Sequence, residues 1–146
     1  MIEEYFEDLD ETLRVVCEHE RMPMYQTEGS AGLDLHVAET TALSRFMVAK
    51  VGTGLRVALP IGTVGLILPR SSITKKGIMV HIGTIDEDYR GELCLLLSSL
   101  EPAIVRAGER VAQLVILPVL RARVMPVERL DETVRGEGGF GSTGFR

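Results

Sequence analysis

Residues 54–69 read GLRVALPIGTVGLILP, two apolar stretches divided by Pro60-Ile61-Gly62. In the first, Leu55-Arg56-Val57-Ala58-Leu59 alternates around an arginine, which is the period of a strand with one face on a core. The second, Gly62 to Pro69, is short, β-branched and bounded by glycine and proline. Proline presets one turn dihedral and glycine tolerates the left-handed region, so 60–62 predicts a turn. Working outward, the same texture recurs in FMVAKV, ELCLLLSSL, RVAQLVILPVL and ARVMPVERL, with a second turn region from Glu101-Pro102 to Gly108. Many short strands at this spacing predict an all-β fold, an antiparallel sandwich, jelly roll or barrel. No strand–helix alternation is present, which argues against a doubly wound parallel sheet.

The chain has 146 residues, enough for one domain with a real core. Tryptophan is absent and only 5% of residues are aromatic, so that core must be aliphatic. A formal net charge of −5 argues against a general nucleic-acid binder but not against a small anionic ligand. Cys17 and Cys94 stand far apart and form no metal-ligand pair, so a reduced, cytoplasmic setting is expected. No apolar run is long enough for a membrane helix. The first thirteen residues, MIEEYFEDLDETL, hold six acids and no basic residue, unlike a targeting signal. Ile2, Tyr5, Phe6, Leu9 and Leu13 recur at helical spacing, so residues 2–13 are expected to form a short amphipathic helix. The chain is thus read as an acidic extension (1–20), a β domain (21–134) and a glycine-rich arm (135–146).

Polar and glycine-rich residues gather in GSAGLDL (29–35), PRSS (69–72), GTIDEDYRGE (83–92), GERVAQ (108–113) and RGEGGFGSTG (135–144). Each alone has an ordinary reading as a turn, a solvated loop or a charged tip. Together and in this order they resemble the five motifs of the trimeric deoxyuridine triphosphatase (dUTPase) family, from about Met24 to Gly144. The last is the most specific, because Arg135 followed by Gly138-Gly139-Phe140-Gly141-Ser142-Thr143-Gly144 reproduces the family's closing pattern.

The resemblance implies a jelly-roll-like fold and hydrolysis of dUTP to dUMP and pyrophosphate by water attack at the α-phosphorus. A triphosphate carries about four negative charges, for which arginine forks and a divalent cation are the expected counterweights. Arg70 and Arg135 are then phosphate contacts, whereas Arg110 suits either that task or a structural ion pair. Ser71 and Ser72 supply further donors, and Gly141, Ser142 and Thr143 wrap the phosphates from the arm. Asp86 corresponds to the base that activates water, and Asp34 to a carboxylate holding the water or metal network. Tyr89 would lie under the deoxyribose. The backbone of a 79–86 hairpin, with Gly83 and Ile85, would read uracil, and Phe140 would stack over it. Gln113 is expected at phosphate or a site water. Mg²⁺ would arrive with the phosphates rather than in a protein cage. The resemblance further implies a homotrimer whose sites lie between subunits, each closed by a neighbour's arm.

Val80-His81-Ile82-Gly83 differs from the common family choice, which keeps the related dCTP deaminase group, including bifunctional members, in view. A second alternative is a partner-binding protein of dUTPase type, acting through residues 1–20. His81 is expected to be a loop or packing residue, His19 and His36 surface residues, and Cys94 a core residue.

Overall fold

The structure is a computed structural model that describes residues 11–141 and 144. The elements are β1 (Arg14–Cys17), β2 (Leu33–His36), β3 (Thr41–Leu43), β4 (Ala49–Ala58), β5 (Thr63–Pro69), α1 (Ser71–Thr74), β6 (Ile78–Val80), β7 (Gly83–Ile85), β8 (Glu92–Ser99), β9 (Ala103–Val105) and β10 (Arg110–Pro118). One four-stranded sheet has the order β1-β4-β8-β6, a second the order β2-β10-β5-β7, and β3 pairs with β9. Every pairing between strands is antiparallel. This is the expected all-β, jelly-roll-like arrangement. Leu35, Leu55, Ile67, Leu93, Leu95, Leu97 and Leu114 are almost wholly buried between the layers, an aliphatic core as the composition requires.

The stretch 54–69 does contain two strands, but they do not form a hairpin. β4 belongs to the first sheet and β5 to the second, so Pro60-Ile61-Gly62 is the corner where the chain changes layer. Gly62 has φ +81°, the left-handed geometry the turn needs, and its N–H is taken by the Glu87 carboxylate. The 79–86 segment behaves likewise, correcting the expected hairpin. β6 pairs with β8 and β7 with β5, so His81-Ile82 is a second corner between layers.

β4 absorbs parts of two stretches that the sequence presents as separate strands. Its register against β8 shifts between Gly52 and Arg56. Thr53 fills that bulge, its hydroxyl donating to the Leu93 carbonyl at 2.6 Å. Gly54, at φ +69°, lies against the His19 ring, whose carbon a Cβ would meet at 2.8 Å.

The expected helix over 2–13 falls largely outside the described residues, and Glu11 to Leu13 are not helical. Pairing starts at Arg14, opposite Ala58, inside the segment read as an extension. The turn region 101–108 holds β9. At the other end, ARVMPVERL (122–130) makes no strand. Beyond β10 the described residues form no helix or strand, and Leu120, Val124, Met125, Leu130 and Val134 are largely exposed. A strand needs a partner edge, and these residues meet none among the described residues.

Candidate active site

Three of the five stretches meet at one end of the second sheet because β10 is its central strand. Gln113 of β10 is level with Asp34 of β2 on one side and Leu68 of β5 on the other. Asp34 points away from the neighbouring core leucines and is 5% exposed. Its two oxygens receive two arginines, Arg70 Nε at 3.0 Å and Arg110 Nη1 at 3.3 Å. Arg70 Nη1 also donates to the Arg110 carbonyl at 3.1 Å. Asp34 therefore holds the two guanidiniums together, and of the two roles open to Arg110 the structure displays the ion pair.

Gln113 donates from Nε2 to the Pro69 carbonyl at 3.0 Å, fixing the loop that carries Arg70. Gln113 lies directly over Gly32, where a Cβ would come within 2.5 Å of Oε1 and 3.0 Å of the Gln113 Cβ, so any larger residue there would push the side chain aside. Ser71 and Ser72 follow in the exposed first turn of α1, whose buried anchor is Ile73. Arg70, Ser72, Lys76 and Arg110 line a small cleft there with Glu109, three cations against one carboxylate, a net cationic corner suited to phosphate.

The Asp86 stretch lies elsewhere. Gly83 and Ile85 pair with Ile67 and Gly65 of β5, which places Asp86 beside Val64. From there to Arg70 is six residues along β5, about 20 Å at roughly 3.3 Å per residue. Asp86 starts a turn closed by Tyr89 N–H to the Asp86 carbonyl at 3.1 Å. The Tyr89 hydroxyl donates to the Glu92 carbonyl at 2.9 Å, folding the ring over Gly91, where any Cβ would collide with it. Asp86, Tyr89, Thr84, Ile85 and Cys94 face a common cleft. Glu87 is not part of that chemistry. The Gly62 N–H and Arg121 (3.3 Å) hold its carboxyl below the ordinary carboxylate range, in that order of weight.

On the arm, Arg135 Nε donates to the Gly138 carbonyl at 2.7 Å, curling the glycines locally. Phe140 is fully exposed with φ +51°, and Gly141 has φ +83°. Ser142 and Thr143 lie outside the described residues. In one chain, then, the cationic corner, the Asp86–Tyr89 turn and the arm remain three separate pieces.

The histidines differ from their surface reading. His19 accepts the Arg21 N–H at Nδ1 (3.0 Å), so its Nε2–H donates to the Thr53 carbonyl at 2.7 Å. His36 is half-buried opposite Arg110, and its Nδ1 is buried without a hydrogen-bond partner. Burial first, then Arg110 and Arg21, push its pKa below 6.5. Nothing in the sequence motifs marks His36, whose position emerges only from the β2–β10 register. His81, an exposed loop residue at the corner between β6 and β7, bonds Ser98 Oγ at 2.9 Å. Cys94, expected in the core, is half-buried on the outer face of β8, and burial raises its thiol pKa.

For a divalent cation, no group of three His, Cys, Asp or Glu side chains lies together among the described residues. Asp34, the carboxylate of the cationic corner, already has both oxygens engaged by guanidinium N–H groups. No helix among the described residues is long and apolar enough to cross a membrane.

The arrangement matches known proteins over nearly its full length. Residues 18–144 match the dUTPase family. The deoxyuridine 5′-triphosphate nucleotidohydrolase of Cutibacterium acnes is 45% identical over 141 residues, covering 92% of this chain and 93% of that protein. That of Hydrogenobaculum sp. is 44% identical over 131 residues, covering 86% and 91%. Among solved structures, the dUTPase of Staphylococcus bacteriophage 80alpha with dUpNHpp superposes with a TM-score of 0.84 at 31% identity, covering 91% and 98%. A phage phi11 dUTPase described with a structural Mg(II) ion gives 0.77 at 27% identity, covering 81% and 97%. With the family matched over residues 18–144, and relatives 44–45% identical over 86–92% of its length, the chain belongs to the dUTPase family.

Proposed function

We propose that the protein hydrolyses dUTP to dUMP and pyrophosphate, at sites completed by three copies of the chain. The observation that carries this reading is the separation of about 20 Å along β5 between the Arg70 corner and Asp86. A nucleoside triphosphate needs its phosphate donors and its base on adjacent sides of one α-phosphorus, which a second copy can supply. The exposed apolar residues beyond β10 favour the same assembly, because they gain a partner only on a neighbouring subunit.

In such a site Arg70, with Ser71 and Ser72, receives the phosphates on a frame held by Asp34, Arg110 and Gln113. Asp86 orients a water in line with the α-phosphorus and accepts its proton as the oxygen attacks. The bond to the bridging oxygen breaks, and pyrophosphate leaves. Tyr89 packs under the deoxyribose, where a ribose 2′-hydroxyl would clash. The backbone at Gly83 and Ile85 offers hydrogen bonds to the uracil edge, and the wrong base would leave these groups unpaired. The arm closes with Phe140 over the base and Arg135, Gly141, Ser142 and Thr143 against the phosphates, excluding water. Mg²⁺, arriving with the substrate rather than on a protein cage, would supply further charge neutralisation. In the cytoplasm this reaction would keep uracil out of DNA and supply dUMP for thymidylate synthesis.

The test is a substrate panel of dUTP, dCTP, dTTP and UTP, following pyrophosphate and ammonia. Pyrophosphate from dUTP alone is expected. Ammonia from dCTP would assign the protein to deamination, and no turnover of dUTP at micromolar protein would make it a binding protein.

A further inference from the structure

The carboxylate beside the proposed base has two partners outside its own turn. Glu87 accepts the Gly62 N–H and pairs with Arg121 Nη2 at 3.3 Å, both through the same oxygen. Gly62 lies at the corner between β4 and β5, and its carbonyl receives the Val119 N–H at 2.9 Å. Three segments are thus knitted at one residue: the Asp86 turn, the corner between layers and the first residues past β10. The corner is itself braced, since the Thr63 hydroxyl donates to the Pro60 carbonyl at 2.7 Å. Within the turn, Arg90 donates to the Glu87 and Tyr89 carbonyls at 2.6 and 3.0 Å.

Asp86 has no such tie. It is exposed, and no hydrogen bond or ion pair among the described residues includes its carboxylate. What aims Asp86 is therefore the backbone on which it stands. β7 fixes that backbone on one side, through Ile85 opposite Gly65. On the other side the chain is fixed one residue from the base, by the hold of Glu87 on Gly62 and Arg121. Glu87 does not line the cleft that Asp86 and Tyr89 face, so it can act on the reaction only through that backbone. We propose that Glu87 is a positioning residue for Asp86, and that Arg121 completes it from the root of the segment leading to the arm. The inference rests on the reading of Asp86 as the base. A displacement on the order of 1 Å at a reacting group can cost about 100-fold in rate, so a loosened turn is felt in the chemical step.

The test is single-turnover hydrolysis of dUTP by the full chain in excess, beside dUpNHpp affinity and thermal unfolding. Glu87→Ala should slow hydrolysis about tenfold and leave dUpNHpp affinity within about twofold, the split expected when the base is misaimed and binding is intact. Glu87→Gln, whose amide oxygen still accepts from Gly62 but no longer pairs with a cation, should lose about threefold. Arg121→Ala should match it, and Arg121→Lys should stay close to the native rate. The double variant E87Q/R121A should be no slower than either single one, because both remove the same pair. A native rate in Glu87→Ala would overturn the inference. So would a loss of affinity as large as the loss of rate, or losses that multiply in the double variant. Should Glu87→Ala fail to fold, Glu87→Gln and the Arg121 variants decide in its place. Asp86→Asn is measured alongside to separate the two claims. A native rate there would bring down the base assignment and this inference together, whereas inactive Asp86→Asn with native-rate Glu87→Ala would overturn the inference alone.

Discussion

Replacing Asp34 by asparagine keeps the side-chain shape while removing the charge between Arg70 and Arg110. At separations of 3.0 and 3.3 Å the two attractions are about 5 kcal/mol each at an effective dielectric near 20, before desolvation. Removing one member of a buried ionic group typically costs about 3–5 kcal/mol. Here Asp34 is buried, but the side chains of Arg70 and Arg110 are 24% and 43% exposed, so water screens part of the resulting repulsion. A net cost of about 2 kcal/mol is expected, which for a domain of this size is a fall in Tm of about 4–8 °C. In kinetics, the loosened Arg70 should raise KM for dUTP about tenfold, with kcat reduced less. Thermal unfolding and initial rates measure both. A variant that kept its Tm within a degree and its KM unchanged would refute the idea that Asp34 orients the arginines. A large fall in kcat alone would return it to the water network.

Gly32→Ala should force Gln113 from the Pro69 carbonyl, costing about 1 kcal/mol, or roughly 2–4 °C in Tm. Combining it with Gln113→Ala should be clearly less than additive, because both remove one hydrogen bond. The depressed pKa of His36 means that below pH 6.5 the unfolded chain binds a proton that the native one resists. Stability should therefore fall as pH drops from 6.5 toward the native pKa and stay level above 6.5. His36→Gln should flatten that slope in urea titrations between pH 5 and 7.5; an unchanged slope would acquit His36. Deleting residues 135–146 should leave a folded trimer, since Val124 to Val134 remain, with turnover lowered about 100-fold by loss of the closing arm. Sedimentation and rate measurements decide it, and full activity would make the arm dispensable.

The fold class and the five motifs are legible because both rest on local pattern. Alternation at Leu55–Leu59 reports a strand whatever its neighbours are, and the glycines of the arm report a backbone that must bend. Sheet membership is not local. Nothing in 60–62 or 79–86 distinguishes a hairpin from a corner between layers, since the same turn chemistry serves both. The strand β1 is masked by acidic, helix-spaced residues immediately before it. ARVMPVERL has strand composition but no partner edge among the described residues. The roles within the cationic corner come from register: Asp34 is level with Gln113, and His36 with Arg110, only once β2 and β10 are paired. That register is also what brings Asp34 against Arg70 and Arg110, a pairing the motif alone does not disclose.

The central claim is that Arg70 and Asp86 of one site come from different chains, and subunit mixing tests it most directly. Asp86→Asn should bind dUTP yet lose most turnover, and Arg70→Ala should be nearly inactive through loss of the phosphate contact. The two variants are unfolded together at equal concentration, refolded and assayed. If each site draws on two chains, about a quarter of the sites in randomly mixed trimers regain both native residues, and activity returns in that proportion. If the mixture stays at the level of the separate variants, both residues act within one chain and the account is wrong.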